Sequence, residues 1–311
     1  MTILFATDFD AASLARWRGL LQAALPDERI VTDRQAVDAA DIDVAIVANP
    51  PPGALSGLTP LRLIQSLWAG VDKLLADASL PPAVPIARMV DPAMSTAMAE
   101  TALWAVLSLH RGFYVYAAQQ RVLTWQPVPL RRADEVAIAV LGLGEMGRCV
   151  ALRLAAQGYR VNGWSGRPSA LPSIATRHGD EALTEVLREA DIVINLLPLT
   201  PATCGLLCAH CFNAMRPGAS LVNLARGAHV VDADLLAALD RGHLQHAVLD
   251  VFNTEPLPAD HRYWQHPKVT VLPHAAAQTD ARSAVEIAAA NVRRLRAGGA
   301  LHNLVDRTRG Y

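Results

Sequence analysis

Apolar and polar positions fall into two blocks in which short apolar runs alternate with amphipathic stretches. In the first block, residues 3–7, 44–48, 63–67 and 84–88 are short runs rich in aliphatic and β-branched side chains. Such runs predict strands. A helical pattern covers 11–25 and stops near Pro26. A longer helical pattern, 93–119, is too apolar for a surface element and reads as the connection between two domains. In the second block, strands are predicted over 136–141, 159–164, 191–197, 220–224, 246–251 and 268–272. Helices lie between most of them, at 148–157, 181–189 and 232–241, and a last helix covers 279–297. Alternation of this kind predicts an α/β chain whose parallel sheets are covered on both faces.

The chain has 311 residues, too many for one ordinary core and enough for two. An apolar share of 52% against 18% charged residues excludes a disordered chain. Basic and acidic residues balance to a net charge of −1, which gives no support for nucleic acid or an anionic membrane as a partner. No run approaches the ~20 apolar residues of a spanning helix. The start, Met1-Thr-Ile-Leu-Phe, lacks the basic region and apolar core of a secretory signal. A cytoplasmic protein is expected.

One turn changes the picture. The run 136–141 leads into Gly142-Leu-Gly144-Glu145-Met146-Gly147, and a helical pattern follows. This is G-x-G-x-x-G between a strand and a helix, the context that makes it a dinucleotide-binding fingerprint. Gly142 allows the tight turn, Gly144 admits a pyrophosphate to the backbone, and Gly147 lets helix and strand pack. The acidic ribose ligand expected about 20 residues later is missing. The strand 159–164 ends instead in Ser165-Gly166-Arg167. A carboxylate would repel a 2′-phosphate, whereas Ser165 and Arg167 can accept one. NADP is therefore expected, with NADPH preferred and NAD still possible.

Three later motifs each put one ionisable side chain at the end of an apolar run: Arg226 in Asn223-Leu-Ala-Arg-Gly227, Glu255 in Asp250-Val-Phe-Asn-Thr-Glu-Pro256, and His274 after Pro273. In open parallel sheets the carboxyl ends of strands face the ligand crevice. A fixed cation, a carboxylate and an imidazole can hold an anionic substrate and move a proton to or from a carbonyl oxygen. His274 is the expected acid/base, Glu255 its orienting partner, and Arg226 the fork for a carboxylate. Upstream, Trp68-Ala69-Gly70-Val71-Asp72 follows a strand and offers a turn of backbone N–H groups. Met94 and Met98, one helical turn apart, read as packing.

Cys204, Cys208 and Cys211 spell C-x3-C-x2-C, the spacing of radical iron–sulfur enzymes. No Gly-rich pattern of that type accompanies them. With Cys149 they read as small residues on half-buried elements, and no metal is expected.

On the motifs 67–72, 142–147, 195–200, 223–242, 249–258, 264–274 and 305–311, the chain resembles the D-isomer-specific 2-hydroxyacid dehydrogenases, in their glyoxylate/hydroxypyruvate reductase A branch. The resemblance implies two Rossmann-like or flavodoxin-like domains with a cleft between them. It implies a discontinuous substrate domain, 1–100 with 275–311, and a cofactor domain, 101–274. It implies reduction of glyoxylate, hydroxypyruvate or a similar short 2-keto acid to the 2-hydroxy acid. Residues 68–71 would then hold the substrate carboxylate. Asp250 would lie at the nicotinamide carboxamide, and Pro198 and Thr203 on the adenosine side. Glu145, Met146, Leu197, Leu224 and Ala225 would complete the cofactor site beside Gly142, Gly144, Gly147 and His274. Close relatives often carry an arginine directly after the serine, where this chain has Gly166. A homodimer is expected through the stretch 102–118, with Trp104, Phe113, Tyr114 and Tyr116. Two other readings stay open: a dehydrogenase for another 2-hydroxy acid, and a dinucleotide-sensing interaction protein on the same fold. The intact Arg226, Glu255 and His274 favour an enzyme.

Overall fold

The computed structural model describes residues 2–311. Its elements run, in chain order, β1 (Thr2–Thr7), α1 (Ala11–Ala24), β2 (Arg29–Val31), β3 (Ile42–Ala48), β4 (Leu63–Ser66), α2 (Asp72–Leu75), β5 (Ile86–Ala87), α3 (Pro92–His110) and α4 (Phe113–Arg121). They continue with β6 (Ala137–Leu141), α5 (Glu145–Ala156), β7 (Arg160–Ser165), β8 (Ala175–His178), α6 (Asp180–Glu189), β9 (Ile192–Asn195) and α7 (Ala209–Ala214). The last are β10 (Ala219–Asn223), α8 (Asp232–Asp240), β11 (Leu244–Leu249), β12 (Val269–Val271) and α9 (Ala281–Arg296). The chain divides into two compact units, residues 1–94 with 279–311, and residues 95–278.

The first unit is built on a five-stranded sheet of order β2-β1-β3-β4-β5. Every pairing is parallel. β3 is buried from end to end, as a central strand covered on both faces must be. Helix α9 packs on α1 and β4, and an ion cluster ties it down. Arg296 Nε donates to Glu28 Oε1 at 2.6 Å, and a terminal nitrogen donates to Asp43 Oδ1 at 3.0 Å. Further along, Asn291 Nδ2 donates to Gln65 Oε1 at 2.7 Å, so a buried amide pair docks the same helix on β4.

The second unit carries a seven-stranded sheet of order β12-β11-β10-β9-β6-β7-β8, again wholly parallel. The order reverses between β6 and β9. At such a switch point the loops leaving adjacent strands diverge and open a crevice at their carboxyl ends.

The expected helix over 93–119 is two helices. Gly112 takes φ +68 and breaks the run, and a Cβ there would lie 2.7 Å from Val128 Cγ2. Two strands escape the apolar pattern, β2 and β8. Both are edge strands, and β8 (Ala-Thr-Arg-His) has no buried position. Met94 and Met98 are buried, as their spacing suggested. Cys211 is buried, Cys208 half-buried and Cys204 exposed, and all are free thiols. Burial, together with neighbouring Cys208, pushes the Cys211 thiol up to about 11. Among the described residues, no three His, Cys, Asp or Glu side chains gather as metal ligands, and no helix is long and apolar enough to cross a membrane.

His246 on β11 is buried, with Nε2 2.9 Å from Thr270 Oγ1 and its ring 4.1 Å from the Tyr114 ring. Burial, helped by the charge of His266, lowers its pKa to about 4. Its folded-state pKa lies below the ordinary 6.5, so the unfolded chain takes up the proton first. The stability it contributes is present above pH 6.5 and is lost as pH falls towards 4, by about 3 kcal/mol at most. The urea midpoint should fall across that window, and His246→Gln should flatten the fall. A variant with the same pH dependence as the parent would contradict the assignment.

Candidate active site

The glycine turn sits at the switch point. Gly142 follows β6 with φ +95, and a Cβ on it would lie 2.6 Å from the Leu196 carbonyl oxygen, just past β9. Gly147 lies in the first turn of α5, where a Cβ would come within 1.8 Å of the Gly142 carbonyl oxygen. Gly144 is different. It is the N-cap of α5, in extended backbone, and a Cβ there would meet nothing within 4 Å. Open space in front of the amino end of a 12-residue helix fits a phosphate group. Glu145 beside it is exposed, and Met146 is half-buried against the core.

At the end of β7, Ser165 Oγ donates to the Arg167 carbonyl at 2.7 Å and tightens the turn that presents exposed Arg167. After β9, Thr203 Oγ1 donates to the Pro198 carbonyl at 2.7 Å and accepts from Thr200 N at 2.9 Å. The side chains of Leu197 and Leu224 are buried in the cores, so these positions can present only backbone to a ligand. Ala225 is buried as well.

The three ionisable groups all belong to the second unit. Arg226 follows β10 in extended backbone, and its guanidinium donates to the Ala225 carbonyl at 2.8 Å. Gly227 then passes so close to the next loop that a Cβ would lie 1.9 Å from the Phe252 carbonyl carbon. That loop carries Glu255, whose Oε1 accepts the Phe252 N–H at 3.0 Å. Glu255 Oε2 lies 2.8 Å from His274 Nδ1. With a carboxylate there, Nδ1 carries the proton that donates to it, and Nε2 is the nitrogen left to act on a ligand. The His274 side chain is 51% exposed and Glu255 30%, so the pair is open to solvent on one side.

Asp250 holds this arrangement rather than projecting from it. It is buried at the end of β11, its carbonyl accepts His274 N at 2.8 Å, and its two carboxylate oxygens accept Ala275 N at 2.7 Å and Ala276 N at 3.0 Å. His274 itself takes φ +52. These bonds make Asp250 the anchor of the His274 turn. Sequence reasoning missed Asn195 and His229, both wholly buried polar residues of this unit. Asn195 leaves one trace, a polar residue at the end of an apolar run, and His229 leaves none.

In the first unit, Trp68 N donates to Ser66 Oγ at 3.0 Å, while the Trp68 carbonyl accepts Met89 N at 3.0 Å. The indole packs edge-on to Phe9, and its N–H is buried without a hydrogen-bond partner. Ala69 and Gly70 are half-buried and Val71 is buried ahead of α2.

Residues 103–276 match the family profile "D-isomer specific 2-hydroxyacid dehydrogenase, NAD binding domain". This chain belongs to that family. It is 37% identical to glyoxylate/hydroxypyruvate reductase A of Yersinia enterocolitica and 39% identical to that of Serratia proteamaculans, each over the whole of both chains. A D-isomer specific 2-hydroxyacid dehydrogenase of Xanthobacter autotrophicus, solved with NADPH and MES, superposes with a TM-score of 0.93 at 40% identity. That match covers 100% of this chain and 99% of the other. An NADPH-dependent glyoxylate/hydroxypyruvate reductase of Sinorhizobium meliloti, solved with NADP and sulfate, gives 0.92 at 30% identity over 100% and 99% of the two chains.

The glycines offer a paired test. Gly227→Ala forces a backbone apart and should destabilise the protein by about 1–3 kcal/mol. Gly144→Ala meets open space and should melt within a degree or two of the parent, yet weaken dinucleotide binding. Equal melting temperatures for the two variants would refute the close approach at Gly227.

Proposed function

We propose that this chain is a cytoplasmic, NADPH-preferring reductase of glyoxylate, hydroxypyruvate or a similar short 2-keto acid. The observation that carries the reading is the Glu255–His274 pair at 2.8 Å, on a loop that the Gly227 backbone touches just after Arg226. Arg226 binds the substrate carboxylate with its planar fork. The turn 68–71 is assigned to the substrate as well. His274 donates a proton from Nε2 to the carbonyl oxygen, while Glu255 holds the ring through Nδ1 and balances the imidazolium before the transfer. When bound, the nicotinamide supplies the hydride. Gly142, Gly144 and Gly147, with Glu145 and Met146, form the phosphate turn. Ser165 and Arg167 take the 2′-phosphate, the backbone of Leu197, Pro198, Leu224 and Ala225 borders the nucleotide with Thr203 behind Pro198, and Asp250 supports the nicotinamide end through the His274 turn.

A panel of 2-keto acids with NADPH and NADH, followed at the nicotinamide absorbance, tests this reading. NADPH should win in kcat/KM by at least about tenfold, since a charge-assisted bond to phosphate contributes roughly 1.5–3 kcal/mol. Ser165→Asp should move the preference towards NADH. His274→Ala should cost roughly 10²–10⁴-fold in kcat with NADPH affinity kept. A loss below threefold at neutral pH would remove His274 from the proton step. No turnover with any 2-keto acid would favour the dinucleotide-sensing alternative.

The protein is further proposed to be a homodimer. Tyr114 and Tyr116 are spent internally, on Gln245 and on the Val128 N–H. The exposed apolar surface lies instead on Trp104, Phe113 and the segment that follows α4, where Leu123 is 94% and Trp125 99% exposed. Exposure of several large apolar side chains favours an interaction site there. Light scattering at micromolar concentration should give twice the chain mass, and Trp125→Asp with Leu123→Asp should give the monomer. A monomeric parent would refute the dimer.

A further inference from the structure

Asn195, Asn223 and His229 are each wholly buried, yet none is one of the ionisable groups assigned to the reaction. Asn195 ends β9 and Asn223 ends β10, and the two stand opposite each other in register. Their amide orientations are dictated by the backbone. Asn195 Oδ1 accepts Leu197 N at 3.3 Å, and Asn223 Oδ1 accepts Ala225 N at 3.3 Å. The Asn195 NH₂ therefore points the other way. It donates one hydrogen to Asn223 Oδ1 at 3.0 Å and the second to His229 Nδ1 at 3.0 Å.

This assigns the tautomer of His229. Nδ1 accepts, so Nε2 carries the hydrogen and donates to the Pro198 carbonyl at 3.2 Å. At the other end Asn223 Nδ2 donates to the Arg226 carbonyl at 3.0 Å. The network thus runs from one functional loop to the other and meets a backbone carbonyl at each end. One loop, past β9, also holds its Pro198 carbonyl through Thr203. The other carries the Arg226 fork. Buried amides and imidazoles cost free energy unless bonded, and three apolar residues would fill the same space without directing either carbonyl.

We infer that Asn195, Asn223 and His229 form one positioning unit, which aims the Pro198 backbone at the dinucleotide and the Arg226 backbone at the substrate. The inference rests on the reductase reading for what the two loops hold. The bonds themselves define separable arms. His229 serves the Pro198 arm, Asn223 serves the Arg226 arm, and Asn195 joins them.

The test uses substitutions that keep or lose one bond each. In His229→Gln the amide nitrogen takes the place of Nε2 and keeps the bond to Pro198. In His229→Asn the shorter amide reaches Asn195 only. NADPH affinity, from titration of its fluorescence, should stay within threefold of the parent in the glutamine variant and fall at least fivefold in the asparagine variant. Asn223→Asp keeps the acceptor and loses the donor to Arg226. It should weaken oxalate, an inert analogue of a 2-keto acid, at least tenfold in the NADPH complex, while NADPH affinity stays within threefold. A role confined to filling space predicts equal losses for glutamine and asparagine at 229 and one common loss of both ligands at 223. Either result would overturn the inference. Nitrogen NMR of the parent should show His229 as the Nε2–H tautomer at neutral pH, and an Nδ1–H tautomer would overturn it as well. These readouts need no turnover. Absence of 2-keto acid reduction in the parent strikes the reductase reading, whereas NADPH and oxalate titrations judge the positioning unit.

Discussion

The close passage of the Gly227 backbone along Phe252 and Asn253 is the constraint on which the site depends. Two loops from adjacent parallel strands, β10 and β11, cannot come that near if position 227 carries a side chain, because a Cβ there would meet the backbone of Phe252 and Asn253. Because one position is glycine, Arg226 leaves its strand beside the loop whose far end bears Glu255. The glutamate then binds twice, to the Phe252 N–H within its own loop and to His274 beyond it. Cation, carboxylate and imidazole are thereby placed by main-chain proximity rather than by mutual attraction, which solvent at a half-exposed pair would weaken.

The imidazole needs its own support, because His274 sits in left-handed backbone that a branched or bulky residue avoids. Asp250 provides it from the end of β11. Its main chain accepts the His274 N–H, and its carboxylate accepts the next two amides. Bonds from backbone N–H groups to an ionised acceptor are among the stronger ones in a protein. A turn held by two of them, and by the His274 N–H on the Asp250 main-chain carbonyl, presents its side chain with little freedom, which is what acid–base chemistry at a fixed carbonyl requires.

The first unit depends on a different interaction. Arg296, near the end of α9, bonds both Glu28 and Asp43, two carboxylates from distant parts of the chain. These partners raise the arginine's pKa well above its ordinary value, with burial opposing them. An ion cluster of this kind is costly to break by removing one member, because the others are left largely desolvated with less counter-charge. It attaches the carboxyl-terminal helix to the sheet formed by the amino-terminal strands.

Much of this was written along the chain. Buried parallel strands need apolar residues on both faces, so β1, β3, β6, β9, β10 and β11 announce themselves as apolar runs. Glycines that admit a turn or a close contact leave a fixed spacing, which is why 142–147 and Arg226-Gly227 could be read directly. Side chains at the ends of those runs named Arg226, Glu255 and His274. Other features were set only by tertiary contact. The edge strands β2 and β8 are made by pairing with a neighbour and carry little apolar signal of their own. Val128, sixteen residues away, closes the space a side chain at Gly112 would need, and Tyr114 and Tyr116 are engaged internally while Leu123 and Trp125 join Trp104 and Phe113 in the exposed apolar surface. The bonds from Asp250 to the backbone of residues 274–276 likewise have no local pattern, since they join positions 24 to 26 residues apart. The Asn195–Asn223–His229 network is invisible in sequence for the same reason: a hydrogen bond between side chains 28 or 34 residues apart has no local pattern, and exists only once the sheet has set two strand ends side by side.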